Sequence, residues 1–215
     1  RLKPKLMEGT TMSDMRRMMM MFTRPVEVEP VLPYDAQVEY LQSNGSQWID
    51  TGIYADNTTK TEIGFQLTSL TASRGIYGTY SSPKSYYIYT SASKTWQVGF
   101  GEYTNLSAAT LDYHEFVFDS FKVYIDGTLA NTYSSQTFTN TQTQAVFNMK
   151  RSNGTVYAGI PMKLYYLRIY KNGVLVTDMI PVRFKNVGYM YDKVSGNLFG
   201  NGGAGSFTYG NDVTT

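Results

Sequence analysis

Alternating hydrophobic and polar residues recur in short segments along residues 34–215 and predict β-strands. Residues 61–67 are the clearest case, because Ile63, Phe65 and Leu67 fall on one face of an extended strand. Many short strands, separated by glycine and asparagine turns, are typical of an antiparallel β-sandwich or barrel. The other predicted strands are 75–80, 85–90, 95–100, 114–119, 121–127, 145–150, 155–160, 162–173, 187–192, 196–200 and 206–210.

Residues 1–33 have a different pattern and contain seven of the eleven methionines. Met12, Met15, Met19 and Phe22 follow a helical spacing that places them on one face. An isolated helix of about ten residues is marginal in water, so we expect it to be ordered only where this face is buried. Since methionine adapts to irregular surfaces, we predict an N-terminal arm that docks onto another subunit. The alternatives are a strap over its own domain and an unordered tail.

Composition and charge exclude several classes of protein. The chain has 215 residues and no cysteine, so neither disulfides nor cysteine-based metal sites are expected. A formal net charge of +2 is too small to indicate nucleic-acid binding. No run of 18 apolar residues is present, so no membrane span is predicted.

Three motifs carry a resemblance to a known family. Residues 38–53 read VEYLQSNGSQWIDTGI, residues 178–183 read DMIPVR, and residues 191–207 read YDKVSGNLFGNGGAGSF. In this order they resemble a LamG-like family that is common in gut bacteria and their phages. The segment KVYIDG at 122–127 is also similar to a hairpin of concanavalin A-like and laminin-G-like folds. The resemblance implies that residues 34–215 form a two-sheet antiparallel jelly-roll sandwich, of a kind often attached to surface or virion proteins.

Candidate catalytic residues are few. Asp50 and Asp126 lie at strand–turn edges, where a carboxylate accepts backbone N–H bonds, and we interpret both as structural. His114 is the single histidine, and the chain has no Gly-x-Ser-x-Gly nucleophile elbow to accompany it. We therefore interpret His114 as a residue at the rim of a strand. No strand carries the alternating acids that glycosidases on concanavalin-like folds use. The chain is therefore predicted not to be an enzyme.

Two features of the sequence are typical of cofactor sites: a glycine-rich segment and a set of acidic and amide side chains. Residues 200–205 read GNGGAG, but a predicted strand rather than a helix follows, so we interpret them as a turn. Laminin-G-like domains often hold calcium at the sandwich rim, and the resemblance makes Asp56, Asn57 and Asn105 the conceivable ligands. Calcium binding therefore stays an open alternative, and no other cofactor is predicted.

The tyrosine-rich segment 77–103 is the best candidate for a binding site. Strand alternation places Tyr86 and Ile88 on one face and Tyr87 and Tyr89 on the other, so one set is predicted to be exposed. Exposed tyrosine and tryptophan suit sugar rings, because an apolar C–H face stacks while hydroxyls find polar partners. The alternative is core packing with scattered surface tyrosines. The predicted carbohydrate-binding residues are Tyr80, Tyr87, Tyr89, Trp96 and Tyr103.

These observations predict a non-enzymatic structural or decoration protein of a virion or cell surface. Its arm would anchor it to other subunits, as a homo-oligomer or within a larger assembly, and its sandwich would face outward to bind cell-surface or mucosal glycans. A purely architectural subunit without sugar binding is the first alternative, and an unusual glycoside hydrolase is the second.

Overall fold

The computed structural model describes residues 32–81 and 84–214, and these consist of β-strands, turns and loops without a helix. The arm residues Met12, Met15, Met19 and Phe22, and the predicted helix that contains them, lie outside the described residues. The all-β prediction is confirmed. The strands are β1 (Ala36–Gln37), β2 (Leu41–Ser43), β3 (Ile49–Asp56), β4 (Thr59–Leu67), β5 (Arg74–Tyr80), β6 (Ser85–Thr90), β7 (Thr95–Ala108), β8 (Tyr113–Asp119), β9 (Lys122–Ile125), β10 (Thr128–Thr132), β11 (Thr139–Val146), β12 (Lys150–Arg151), β13 (Met162–Lys171), β14 (Val174–Phe184), β15 (Val187–Asp192), β16 (Asn197–Phe199) and β17 (Thr208–Tyr209).

The strands form two sheets. In the larger sheet the order of hydrogen-bonded neighbours is β10-β9-β8-β4-β13-β14-β15-β16, with β1 beside β14, β2 beside β13 and β17 beside β2. The smaller sheet has the order β3-β11-β5-β6-β7, and the short β12 runs parallel to β5. The other strand pairings among the described residues are antiparallel. This arrangement agrees with a β-sandwich.

An aromatic core lies between the two sheets. The alternation predicted for β4 is confirmed, because Ile63, Phe65 and Leu67 are all buried. Phe65 belongs to the larger sheet, and its ring centroid is 5.8 Å from that of Trp96 in the smaller sheet. Full burial of one such side chain contributes about 1.5–3 kcal/mol. Contacts between large side chains of opposite sheets therefore hold the sandwich together.

Two of the predicted hairpin turns have the backbone that their sequences require. Asp126 and Gly127 have φ angles of 52° and 76°, and Asn172 and Gly173 have φ angles of 50° and 78°. Positive φ at both central residues defines the type I′ turn, which matches the twist of the flanking strands. Asp-Gly and Asn-Gly adopt it at little cost, so both hairpins were readable from the sequence.

The strand predictions for 145–150 and 155–160 are wrong in part. Strand β11 ends at Val146, because Phe147 adopts a left-handed φ of 67° and turns the chain. Residues 155–160 make only isolated bridges, such as Gly75 with Gly159, instead of a strand. A Cβ at Gly159 would lie 2.5 Å from the carbonyl oxygen of Phe147. The segment is thus a tight crossing of backbones, and it carries Tyr157 across the end of β12.

Candidate functional site

Strands β5, β6 and β7 of the smaller sheet bring most of the predicted sugar-binding tyrosines together. On β6, Tyr86 and Ile88 point into the core, while Tyr87 and Tyr89 point to the opposite face. The predicted alternation of this strand is therefore confirmed, but the prediction that Tyr87 is exposed is wrong, because its side chain is only 1% exposed. Tyr87 lies opposite Gly78 on β5 and opposite Gly99 on β7.

Four tyrosine rings on this outer face form a closed circuit of contacts, three of them edge-on and one tilted. The centroid distances are 5.9 Å for Tyr80–Tyr87 and 6.2 Å for Tyr87–Tyr89. They are 5.9 Å for Tyr89–Tyr157 and 6.1 Å for Tyr157–Tyr80. With Tyr103 these residues make up what we name the tyrosine cluster. It surrounds a depression of about 200 Å³ whose lining residues are Tyr80, Tyr87, Tyr89, Gln97, Tyr103, Met149 and Tyr157.

A glycine opposite Tyr87 explains the concave shape. A Cβ added at Gly99 would lie 2.8 Å from Cε1 of Tyr87, so the Tyr87 ring rests directly on the backbone of β7. Tyr87 is accordingly only 1% exposed, whereas Tyr80 is 37% and Tyr103 61% exposed. Tyr87 forms the floor of the depression, and the more exposed rings form its walls.

A short hydrogen-bond network fixes the polar atoms of this floor. The hydroxyl of Tyr87 donates to Oε1 of Gln97 over 2.9 Å, and Nε2 of Gln97 donates to Oδ1 of Asn105 over 2.9 Å. Burial raises the pKa of the Tyr87 hydroxyl far above its ordinary value of 10.0, and the neighbouring tyrosine Tyr80 raises it further. The hydroxyl therefore stays neutral and remains a donor at physiological pH.

Arg151 stands at the rim of the depression. The central carbon of its guanidinium is 4.1 Å from the centroid of the Tyr157 ring, a cation–π contact. Burial raises the pKa of the Tyr157 hydroxyl, and the charge of Arg151 opposes part of that increase. The site thus combines uncharged aromatic walls with one cation.

The prediction for Trp96 is wrong. Its side chain is 1% exposed and packs against Phe65 and Phe116 in the core. The reason is the alternation of β7, which directs Trp96 inward and Gln97 outward. Tyr157 takes its place on the outer face, and the sequence did not indicate this residue because no local pattern brings residue 157 to this sheet.

Asp50 has the contacts of a structural residue. Its Oδ1 accepts from the backbone N–H of Gly52 over 3.0 Å, and its Oδ2 accepts from Nζ of Lys150. Burial alone would raise the pKa of Asp50, but hydrogen bonds from Lys150, Thr143 and Gly52 outweigh it and lower the pKa from 3.8. The carboxylate therefore holds the start of β3 against β12.

Asp126 and His114 belong to one hydrogen-bond chain. Oδ1 of Asp126 accepts from the backbone N–H of Glu115 over 2.9 Å, and Oδ2 lies 2.7 Å from Nδ1 of His114. Nε2 of His114 lies 2.8 Å from the hydroxyl of Thr110, which donates to Asp112 over 2.9 Å. A hydroxyl has a single proton, so Thr110 cannot donate to Asp112 and to Nε2 of His114 at the same time, and the tautomer of the imidazole decides which of the two accepts it.

The conceivable calcium ligands do not come together. Asp56 ends β3 and its carboxylate binds Nζ of Lys171 over 2.6 Å, while Asn105 is bonded to Gln97 on β7. These strands lie at opposite ends of the smaller sheet with three strands between them, which separates them by roughly 19 Å at about 4.8 Å per strand. Over residues 32–81 and 84–214, no group of three or more His, Cys, Asp or Glu could hold a metal ion.

The opening and closing motifs of the resemblance dock onto each other. Nε2 of Gln47 donates to the carbonyl of Ala204 over 2.8 Å, and the backbone N–H of Gly202 donates to the carbonyl of Trp48 over 2.8 Å. The backbone N–H of Trp48 donates to Oδ1 of Asn201 over 3.2 Å. The glycine-rich residues 200–205 thus form a turn around Trp48, as interpreted from the sequence.

The remaining motif residues are also engaged in the fold. Arg183 of the IPVR segment donates to Asp212 through Nε and Nη2 over 2.8 and 2.7 Å. Asp192 is buried and accepts from the backbone N–H groups of Asp178, Val194 and Ser195. The motifs therefore build the sandwich, and the tyrosine cluster lies outside them.

A comparison with models of known protein families finds no match for this chain, and no curated protein matches it. The LamG-like resemblance therefore stays a prediction. In the part of the chain that the structure describes, no helix is long and apolar enough to cross a membrane.

Proposed function

We propose that the protein is a non-enzymatic module of a virion or cell surface that binds glycans through its tyrosine cluster. In this proposal residues 34–215 are a LamG-like jelly roll and residues 1–33 are the arm that joins it to other subunits. The observation that carries the proposal is the closed circuit of Tyr80, Tyr87, Tyr89 and Tyr157 around a depression on the outer face of a sheet.

The chemistry of the depression fits a sugar. Tyrosine rings offer flat apolar surfaces for the C–H face of a pyranose, and their hydroxyls can pair with its hydroxyl groups. The depression has a volume of about 200 Å³. Most small-molecule pockets measure roughly 300–1,000 Å³, so this smaller depression suits a single sugar residue. A single contact of this kind is weak, and the overall affinity rises when several copies of the protein bind one surface.

Other observations support the remaining parts of the proposal. The contacts between the motifs at 38–53 and 191–207 are those expected if both motifs are structural signatures of one fold. The carboxylates of Asp50 and Asp126 are engaged by Lys150 and by backbone N–H groups, which supports a role without catalysis.

Glycan binding is tested on an array with a multivalent form of the whole chain. We expect binding to disappear in Tyr103→Ala and Tyr89→Ala, because both remove a wall of the depression. Tyr54→Ala is the matched control, since Tyr54 is 52% exposed but lies on β3, away from the cluster. Circular dichroism should show the same fold in all variants. A blank array would overturn glycan binding and favour the purely architectural alternative.

The anchoring role is tested separately in the whole chain. Replacing Met12, Met15 and Met19 with serine removes the apolar face predicted for the arm. We expect the particle mass, measured by light scattering after size exclusion, to fall while glycan binding per chain is kept. An unchanged particle mass would contradict the anchoring role.

A further inference from the structure

We infer that the tyrosine cluster selects sugars that carry a carboxylate, and that Arg151 provides the charged contact. This inference rests on the glycan-binding function proposed above and names its ligand class. It is carried by the placement of Arg151, by the direction of the hydrogen bonds in the floor, and by the uncharged lining of the depression.

The position of Arg151 is set by the backbone around it. On β12 it pairs with Tyr80 of β5, and its N–H donates to the carbonyl of Thr155 over 2.7 Å. Its own carbonyl accepts from Gly154 over 2.9 Å, which closes a tight turn. The guanidinium then lies 4.1 Å from the centroid of Tyr157, so a lining residue of the depression holds it at the rim.

The guanidinium is available to an anion. Arg151 is exposed, and none of the ion pairs within 4.0 Å among residues 32–81 and 84–214 includes it. Lys150, the residue before it on β12, instead has an acidic partner in Asp50. Arginine binds a carboxylate through two parallel N–H···O bonds, a geometry that a neutral hydroxymethyl group does not reproduce.

The polar network of the floor favours the same ligand. Tyr87 donates to the amide oxygen of Gln97, which in turn donates to the amide oxygen of Asn105. Each amide oxygen therefore already accepts one hydrogen bond, and the network leaves N–H donors on Asn105 and on Gln97, of which Gln97 lines the depression. Donors at the floor and a guanidinium at the rim together suit a ligand rich in acceptor oxygens.

The lining also decides between an anionic and a cationic ligand. A ring of aromatic side chains can surround an ammonium group, as cages for methylated amines do. None of the lining residues carries a negative charge to support a cation, and the positive charge of Arg151 beside Tyr157 repels one. The depression therefore favours a carboxylate-bearing sugar over an aminated one.

The test uses pairs of oligosaccharides that differ only in a uronic-acid carboxylate or the corresponding hydroxymethyl group. Dissociation constants are measured by calorimetry with the whole chain. We expect the acidic member of the bound pair to bind at least tenfold more tightly at low salt, since hydrogen bonds to charged groups are the strong ones. In Arg151→Gln the preference should disappear while the neutral member binds as before. Arg151→Lys should keep part of the preference, because lysine provides the charge without the paired donors.

Lys122→Gln is the matched control, because it removes the same charge from β9 of the larger sheet. Equal affinity for both members of a bound pair, or an unchanged preference in Arg151→Gln, would overturn the inference and leave glycan binding intact. Tighter binding of a choline-bearing glycan would overturn it as well. If no pair binds, the glycan-binding function itself fails, and the inference with it.

Discussion

Replacing Gly99 with alanine tests directly whether the Tyr87 ring rests on the backbone of β7. The new Cβ would lie 2.8 Å from Cε1 and 2.9 Å from Cδ1 of Tyr87. Carbon atoms pack best at about 3.5–4.0 Å, so the ring has to move by about 1 Å. Such a movement would lift the floor of the depression and stretch the hydrogen bond from Tyr87 to Gln97.

The size of the effect follows from two opposing terms. Overpacking typically costs about 1–3 kcal/mol. A glycine-to-alanine change gains about 0.4–1 kcal/mol from the unfolded state, and Gly99 has no left-handed φ that would oppose it. The expected net loss is about 1 kcal/mol in the free energy of unfolding, which lowers the Tm of a domain of this size by about 2–4 °C.

The measurement is a double-mutant cycle in urea and thermal unfolding, followed by circular dichroism. In the Tyr87→Ala background the obstructing ring is gone, so Gly99→Ala should be neutral or stabilising there. Glycan binding should fall in Gly99→Ala even where the protein is fully folded. If Gly99→Ala costs the same free energy of unfolding with and without the Tyr87 ring, then that ring does not rest on the backbone of β7 at Gly99.

Three further predictions concern the core and pH. Trp96→Ala should lose about 3–5 kcal/mol of unfolding free energy in urea, whereas the exposed Tyr103→Ala should change it by less than about 0.5 kcal/mol; equal losses would contradict the placement of Trp96. The lowered pKa of Asp50 stabilises the fold above its unfolded value of 3.8, and this stability is lost as pH falls through the folded pKa. Asp50→Asn should therefore flatten the decline in stability between pH 6 and pH 3, and an unchanged decline would argue against the Lys150 contact. Burial raises the pKa values of Tyr86 and Tyr87 above 10.0, so stability is complete below pH 10 and falls above it as unfolded tyrosines ionise. Absorbance at 295 nm should show these tyrosines ionising only with unfolding; ionisation in the folded protein would refute their burial.

The alternation of single strands was sufficient to predict much of the site. It placed Tyr86 and Tyr87 on opposite faces without any knowledge of the neighbouring strands, although it did not predict that Tyr87 is buried beneath the surrounding rings. The same rule applied to β7 would have corrected Trp96, because Trp96, Val98 and Phe100 alternate with polar residues and glycine. The error arose because alternation was applied to the tyrosines of β6 but not to Trp96 on β7.

Other features depend on contacts that no local pattern contains. Strand β11 reads TNTQTQAV, and such polar residues do not predict a buried strand. Gln144 is nevertheless buried, because the hydroxyl of Tyr77 donates to its amide oxygen. Tyr157 reaches the cluster only because Phe147 turns the chain and the backbone crosses near Gly159. Both outcomes are set by tertiary contacts, which override the preferences of short segments.

The two ends of the sandwich meet as neighbours. Val38 is bridged to Asp212, and the backbone N–H of Gly210 donates to the carbonyl of Tyr40 over 3.0 Å. Because its two ends are neighbours, such a domain can be inserted into a surface loop of a carrier protein without separating the two sides of that loop. The same closeness allows a short linker to join the two ends of the sandwich. New termini can then be placed at the Asp126-Gly127 hairpin, which gives a circular permutant that keeps the tyrosine cluster.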